Sequence, residues 1–230
     1  MWQALRSELH PKGLEIVTVA LDVDPEAPRQ WIERAHPEHP SLLDSAHLVD
    51  ELFGMVNVPN AVWIDEEGII VRPAEPAAPS RPADEPRRSR ELPPDTPEYL
   101  REVMAEARKI RLDSGAYTAA LRDWVDNGAE SRFALSPDEV IRRSGVRGSA
   151  EATAAAEFEL GHYLWQHGRQ ELAPPHWREA HRLQPQNWTY KRQAWVLANP
   201  LQGPTDLYDS DWLTDTRKVG AENYYPPLEL

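Results

Sequence analysis

An almost unbroken apolar run near the start of the chain restricts the fold more than any other feature. The run GLEIVTVALDVD, residues 13–24, includes Leu14, Ile16, Val17, Val19 and Leu21. A strand that faces solvent on one side alternates apolar and polar residues, whereas a parallel strand covered on both faces does not. The run therefore predicts a buried parallel strand and an α/β arrangement around it.

Helix and strand patterns alternate on both sides of this run. Trp2, Leu5 and Leu9 have helical spacing before it. After it, the patterns predict a helix in PEAPRQWIERA, a short strand in HPSLLD and a helix in SAHLVDELFGM, capped by Asp44 or Ser45. NAVWID and GIIVRP are predicted to be strands of an antiparallel hairpin, because only EEG separates them. The predicted order is α-β-α-β-α-β-β.

Prolines mark the end of this first region. Residues 72–97 are rich in proline and contain almost no large apolar side chain, which is typical of an extended linker or an exposed excursion. We therefore divide the chain into a first domain at 1–72, a Pro-rich linker or insertion at 73–97, a helical segment at 98–148 that either closes the first domain or begins the second, a helical domain at 149–200, and an irregular tail at 201–230.

The pattern is helical from Ser149 onward, in SAEATAAAEFELGHYLWQHG, RQELAPPHWREAHRLQPQN and NWTYKRQAWVLANP. The first two segments resemble one tetratricopeptide repeat (TPR), in which small residues let two antiparallel helices approach and an aromatic side chain fills the groove between them. The matching residues are Leu160, Gly161, Leu164, Gly168, Ala173, Trp177, Ala180 and Pro185. The sequence departs from the repeat at Glu157, where the repeat has Trp, and at Leu164, where it has Tyr.

The charge of the chain argues against two classes of partner. The chain has 38 acidic and 25 basic residues, giving a formal net charge of -13. Phosphate groups are bound by basic faces, so neither nucleic acid nor a membrane surface is an expected partner. No apolar run approaches the roughly 20 residues that span a bilayer, and the first residues lack the pattern of a signal peptide. We therefore expect a soluble, cytoplasmic protein.

The sequence contains no cysteine. It therefore has no disulfide, no thiolate nucleophile and no Cys-ligated zinc site. His36 and His39, with Glu38, supply half of a metal site, but further ligands are not indicated nearby. The histidines of the helical domain are assigned to interfaces and surfaces; they are His162, His167, His176 and His181. We predict no catalytic residue, no metal and no cofactor.

Residues 1 to about 72 resemble the thioredoxin-like redoxins of the TlpA and peroxiredoxin-like kind. The resemblance rests on GLEIVTVALDVD, SLLDSAHLVDELFGMVNVPNAVWID and DEEGII, in family order and with family spacing. In that family a strand ends in a Cys-x-x-Cys motif, a helix follows, and a cis-proline on a later loop faces the reactive sulfur. Pro59 matches that proline. The resemblance therefore implies a cis Val58-Pro59 peptide and a substrate-binding loop of Val58, Pro59 and Asn60.

The same resemblance indicates a missing element. The redox motif belongs immediately before the first helix, which begins at Met1, and the strand that carries it lies between those matching Leu14–Leu21 and Ala61–Asp65. Two central strands would then lack their shared neighbour. We expect either that the gene product begins upstream of Met1, with a selenocysteine codon read as a stop, or that another segment fills the gap. The implied fold class is α/β, an incomplete thioredoxin-like fold, followed by an all-α, TPR-like helical domain.

Two functions remain open. The first is a redoxin-family protein, related to thiol-disulfide oxidoreductases or peroxidases, that lacks the catalytic Cys or Sec motif in this chain and is inactive alone. It predicts an open cleft beside Val58-Pro59. The second is a non-catalytic adaptor that combines a degenerate redoxin domain with a TPR-like module and binds a protein partner through its helical domain. It predicts an exposed apolar groove among Trp165, Trp177 and Trp195.

Overall fold

The structure, a computed structural model, describes residues 1–80, 92–201 and 203–230. The α-helices of these residues are α1 (Trp2–Leu9), α2 (Arg29–Ala35), α3 (Leu48–Phe53), α4 (Glu98–Ala107), α5 (Ser114–Asn127), α6 (Pro137–Ser144), α7 (Ser149–Gln166), α8 (Ala173–Leu183), α9 (Trp188–Ala198) and α10 (Trp212–Val219). The strands are β1 (Thr18–Ala20), β2 (Ser41–Leu43), β3 (Asn60–Ile64) and β4 (Ile70–Pro76). Short 3-10 turns cover His10–Lys12, Gly128–Glu130, Gln170–Leu172 and Ala221–Asn223.

The chain divides into two compact units, each built from separate stretches of sequence. Unit 1 contains the described residues of 1–80, 113–147 and 228–230, and unit 2 contains those of 92–112, 148–201 and 203–227. This division differs from the one expected from the sequence. Helix α4 belongs to unit 2, whereas α5 and α6 belong to unit 1. The reason is that residues far apart in the sequence pack together within each unit, and a local sequence pattern does not predict such packing.

Unit 1 contains two separate two-stranded sheets. Strand β1 pairs in parallel with β2, and β3 pairs antiparallel with β4. The predicted order of helices and strands over residues 1–72 is confirmed. The predicted length of β1 is wrong, because the strand covers Thr18–Ala20 alone and Val17 is 53% exposed. Among the described residues β1 has a paired strand on one side only, which leaves its apolar run half-buried.

Strand β4 continues into the segment that was assigned to the linker. Pro73 and Pro76 lie inside the strand, and Pro76 is opposite Asn60 in the register with β3. Proline is tolerated there because β4 is at the edge of its sheet, where a missing N–H costs no ladder bond. The linker predicted at 73–97 therefore begins too early, and residues 81–91 of it lie outside the described residues.

The core of unit 1 is centred on Trp63 of β3. Its indole Nε1 donates to the Tyr117 hydroxyl at 3.1 Å, and its ring stacks on Trp124 at 5.0 Å between centroids. Leu5 and Leu9 of α1 are buried in the same cluster. Burial raises the pKa of Tyr117 to about 12. Helix α1 is thus amphipathic, as its spacing predicted, and α5 packs beside it around one aromatic cluster.

The Arg72 guanidinium joins three distant parts of unit 1. It donates to both carboxylate oxygens of Glu75, at 2.7 and 2.8 Å. It also donates to the backbone carbonyls of Phe133 (3.1 Å) and Glu229 (2.7 Å). The Arg72 side chain is about 1% exposed and its guanidinium lies 5.3 Å from the Trp63 ring centroid. A buried cation requires such partners, so these contacts fix residues 133 and 229 against β4.

Helices α7, α8 and α9 form the centre of unit 2, and all three were predicted. Gly161 of α7 lies against Trp177 of α8, so closely that a Cβ on Gly161 would be 2.6 Å from Trp177 Cδ1. The expectation that a small residue lets the helices approach, with an aromatic side chain between them, is confirmed at this contact. Asn187 caps α9 by accepting from Tyr190 N at 3.1 Å.

The tail predicted to be irregular at 201–230 contains a helix. Asp211 caps α10 by accepting from Leu213 N (2.9 Å) and Thr214 N (3.1 Å). Trp212, Leu213 and Thr216 are buried. The Asp N-cap followed by buried apolar residues is a helix signal that the prediction missed. Residue 202 of this segment lies outside the described residues.

We expect Arg72→Lys to destabilise the protein by about 2–4 kcal/mol. Lysine retains the buried charge but lacks the planar guanidinium group that donates to four acceptor atoms. Urea unfolding followed by fluorescence measures the change. Arg142→Lys is the matched control, since Arg142 also donates to a glutamate three residues away, at 2.7 and 2.6 Å, but on an exposed surface. An equal effect of both substitutions would contradict the central role of Arg72.

Candidate functional site

The loop before β3 contains the residues that the sequence singled out as a binding site. The Val58-Pro59 peptide is cis, as predicted. Val58 N donates to the side-chain Oδ1 of Asn57 at 2.9 Å, and Asn60 Nδ2 donates to the Asn57 carbonyl at 2.8 Å. Asn57 is 3% exposed, whereas Pro59 is exposed. Two asparagines therefore fix the loop on either side of an accessible proline.

The loop continues directly into the hairpin. Ala77 N donates to the Pro59 carbonyl at 3.1 Å, which extends the β3–β4 ladder back to the proline. Asn60 is opposite Pro76 in the register. The Asn60 side-chain Oδ1 is buried and has no hydrogen-bond partner among the described residues. The structure thus brings Val58, Pro59 and Asn60 together on one fixed loop that holds an acceptor not used by the fold.

A buried His–Asp pair at the start of α3 was missed by the sequence analysis. His47 Nδ1 and Asp50 Oδ2 are 3.0 Å apart, and both side chains are about 1% exposed or less. His47 precedes the helix with φ of 57°, and Met55 N donates to the Asp50 carbonyl at 2.7 Å. The prediction that Asp44 or Ser45 caps this helix is wrong, because the N-cap residue is His47, without a side-chain cap hydrogen bond, although Asp44 Oδ2 accepts from Val49 N at 2.6 Å. The spacing His-x-x-Asp within an amphipathic helix was the one available signal for the pair.

The tryptophans predicted to line a protein-binding groove do not form one. Trp177 and Trp195 are 0% and 1% exposed, and Trp165 is half-buried with its ring 5.2 Å from that of Trp177. Trp195 Nε1 donates to the Asp209 carbonyl at 3.3 Å. These large side chains fill the spaces between helices, because burying an aromatic ring stabilises the folded state more than leaving it exposed to solvent. The prediction of an exposed groove at these residues is wrong.

An open surface hollow of about 560 Å³ lies along α4 in unit 2. Its lining residues are Thr96, Glu98, Arg101, Glu102 and Ala105. Its walls contain both acidic and basic side chains. It belongs to a different unit from Val58-Pro59 and is therefore not the cleft that was expected beside that peptide.

A second buried polar contact occurs in unit 2. The Tyr208 hydroxyl forms a short hydrogen bond with His181 Nδ1. Burial lowers the pKa of His181 to about 3, with a smaller contribution from Lys191, and burial also raises the pKa of Tyr208. His181 is therefore neutral in the folded protein, and its ring is hydrogen-bonded to the protonated Tyr208 hydroxyl. This arrangement is consistent with the interface role assigned to His181.

The remaining histidines do not gather into a metal site. His36 is the residue that ends α2, in a left-handed conformation with φ of 45°, and His39 Nδ1 is 3.1 Å from the Pro40 carbonyl. Within residues 1–80, 92–201 and 203–230, no group of three or more His, Cys, Asp and Glu side chains is arranged to hold a metal ion. In the same residues, no helix has both the length and the apolar character needed to cross a bilayer.

No family model matches this chain, and neither a curated protein nor a solved structure matches it.

The low pKa of His181 predicts a specific loss of stability in acid. Below pH 6.5 the unfolded chain binds a proton at this histidine that the folded protein does not bind, so stability falls as the pH decreases from 6.5 to about 3. We expect His181→Gln to flatten the decline in the urea midpoint between pH 6.5 and 4, since glutamine can accept from Tyr208 without titrating. Parallel pH profiles of the two proteins would contradict the assignment.

Proposed function

We propose that this protein is a thioredoxin-like redoxin-family protein, related to thiol-disulfide oxidoreductases and peroxidases, whose own chain contributes a binding loop but no redox nucleophile. The order and pairing of the elements in residues 1–76 carry the proposal. They run helix, strand, helix, parallel strand, helix, loop and antiparallel hairpin. The loop Asn57–Asn60 follows α3 and leads into the hairpin, and by the sequence resemblance it corresponds to the redoxin substrate loop.

The binding role follows from the geometry of that loop. Residues Asn57–Asn60 are fixed by two asparagine side chains before any ligand arrives, so little conformational entropy is lost on binding. Pro59 is accessible, and β3 is paired on one side with β4. An extended peptide can add to the other edge of such a strand through main-chain hydrogen bonds. The substrate class we infer is an extended, thiol- or disulfide-containing protein segment.

Chemistry at this site requires a sulfur or selenium atom from outside the given sequence. The chain contains no cysteine, and methionine does not form the thiolate that attacks a disulfide. We therefore expect the isolated polypeptide to show no turnover above background in insulin reduction or in peroxide consumption. Turnover that depends on the protein, and that is lost in heat-unfolded samples, would contradict this expectation.

A second function, a non-catalytic adaptor, is favoured by the same absence of a nucleophile. In this alternative, a protein partner binds through the helical part of the chain, and the Asn57–Asn60 loop has no ligand. The tryptophans buried in unit 2 are not part of its binding surface. The two functions therefore predict chemical-shift changes at different backbone amides when a peptide is added.

Amide chemical shifts of the full chain, titrated with insulin B chain whose cysteines are mixed disulfides with glutathione, distinguish them. We expect changes at the amides of residues 57, 58, 60 and 61, weaker binding after Asn57→Ala, and unchanged binding after the control Asn127→Ala. Asn127 is an exposed asparagine whose Nδ2 donates to the Asp123 carbonyl at 3.0 Å. Changes confined to helices of unit 2 would favour the adaptor, and no change at residues 57–61 would contradict the redoxin proposal.

A further inference from the structure

Residues 228–230 lie on the surface of unit 1, although they follow a long stretch of unit 2. They are assigned to unit 1, whereas the described residues of 148–227 before them belong to unit 2. The three residues form neither helix nor strand. We call residues 228–230 the docked segment. Its contacts with unit 1 are of two kinds, main-chain hydrogen bonds and the packing of one apolar side chain.

Two arginines bind the docked segment by a single carbonyl oxygen. Arg72 Nη2 of β4 and Arg143 Nη1 of α6 each donate to the Glu229 carbonyl, both at 2.7 Å. The Glu229 side chain is about 70% exposed, and its carboxylate lies 3.9 Å from Arg143 Nη1. The surface therefore recognises the main chain at this position more than it recognises the side chain.

Leu228 is the apolar anchor of the docked segment. It is partly buried and packs against the core cluster that contains Trp63 and Phe133. Leu230, two positions further on, is 42% exposed. Extended peptides are recognised by this combination, in which main-chain hydrogen bonds provide affinity and a pocket for one side chain provides specificity.

The two arginines have other partners that keep them in position. The Glu75 carboxylate and the Phe133 carbonyl accept from Arg72. The Glu139 carboxylate accepts from Arg143 at 2.7 Å. Release of the docked segment would leave both guanidinium groups in place, each with an N–H group that has lost its acceptor. A buried donor without an acceptor is unfavourable, so another main-chain carbonyl would be bound there.

The docked segment is bound more weakly than the core beneath it. Pro226 and Pro227, which precede it, are exposed, and proline has no N–H group to donate. Its anchor is only partly buried. Segments with few buried apolar contacts open locally while the rest of the domain stays folded. A peptide from another molecule can therefore replace the docked segment without unfolding unit 1.

We propose that this surface of unit 1, formed by Arg72, Arg143 and the apolar cluster around Trp63, is a binding site for an extended peptide of a partner protein. The peptide supplies a leucine, followed by a residue of any type whose carbonyl accepts from both arginines. The docked segment is the intramolecular occupant that the peptide displaces. The site uses none of residues 57–60, so the inference does not depend on either function proposed above.

Fluorescence anisotropy of a dye-labelled, C-terminally amidated Pro-Pro-Leu-Glu-Leu peptide, titrated with the full chain, tests the proposal. We expect Leu228→Gln to strengthen binding of this peptide at least about fivefold, because the tethered segment then competes less well. Leu207→Gln, which replaces an exposed leucine, is the matched control and is expected to bind the peptide as the wild type does. Far-UV circular dichroism verifies that each variant is folded. No binding to the folded Leu228→Gln chain at about 1 mM, or equal affinity of this chain and the wild type, would overturn the proposal.

Substitutions in the peptide and in the arginines test how the ligand is recognised. A peptide with Leu228→Gln is expected not to bind, whereas one with Glu229→Ala is expected to bind within about twofold, since the glutamate side chain is largely exposed. In the Leu228→Gln chain, we expect Arg143→Gln to weaken peptide binding about fivefold through the lost hydrogen bond. Arg142→Gln is the matched control, because Arg142 also donates to Glu139. Equal effects of the two arginine substitutions would overturn the proposal.

The wild-type chain provides a test that requires no substitution. We expect millimolar unlabelled peptide to move the amide chemical shifts of residues 228–230 toward random-coil values, because the docked segment is displaced. Unchanged shifts would overturn the proposal. Reversible dimerisation of the wild type that Leu228→Gln abolishes would show instead that the site binds the segment of a second copy, and it would also overturn the proposal.

Discussion

The buried guanidinium of Arg72 is the interaction on which the rest of unit 1 depends. A cation that is about 1% exposed is unstable unless acceptors surround its N–H groups. One carboxylate, from Glu75 on the same strand, neutralises the charge and accepts two of the five guanidinium N–H groups, and the carbonyls of Phe133 and Glu229 accept one each. Those two residues are 61 and 157 positions away in the sequence. The requirement to satisfy one side chain therefore specifies how three separate stretches of chain assemble.

This dependence explains which parts of the fold could be predicted from the sequence. Helices such as α1 and α7 are encoded by local spacing, and the β3–β4 hairpin by a short acidic turn, so their existence was predicted. The length of β1, the extension of β4 through Pro73 and the assignment of α5 to unit 1 depend on distant neighbours. Arg72 was not distinguished from any other basic residue beside a proline-rich segment, because its burial results from partners that a local pattern cannot identify.

The same distinction applies to the candidate sites. Val58, Pro59 and Asn60 are consecutive, so a resemblance over a short motif was sufficient to place them on one loop. Trp177 and Trp195 were expected to line an exposed groove. Their spacing predicts which helix face they occupy, but it does not predict what covers that face. Gly161 was a sequence signal of this burial, since a glycine opposite an aromatic residue predicts close helix packing and hence burial of the ring.

The buried polar groups of this protein are largely committed to structure, and this constrains any function. His47 pairs with Asp50, and His181 with Tyr208, within the interior of their own units. A group that acts on a ligand must be accessible, or must have an unsatisfied atom directed at the ligand. On the Asn57–Asn60 loop, Pro59 is exposed and is not a nucleophile, whereas Asn60 Oδ1, which has no hydrogen-bond partner among the described residues, is buried. Recognition can therefore reside in these residues, while any redox step must use an atom from outside the given sequence, which contains no cysteine.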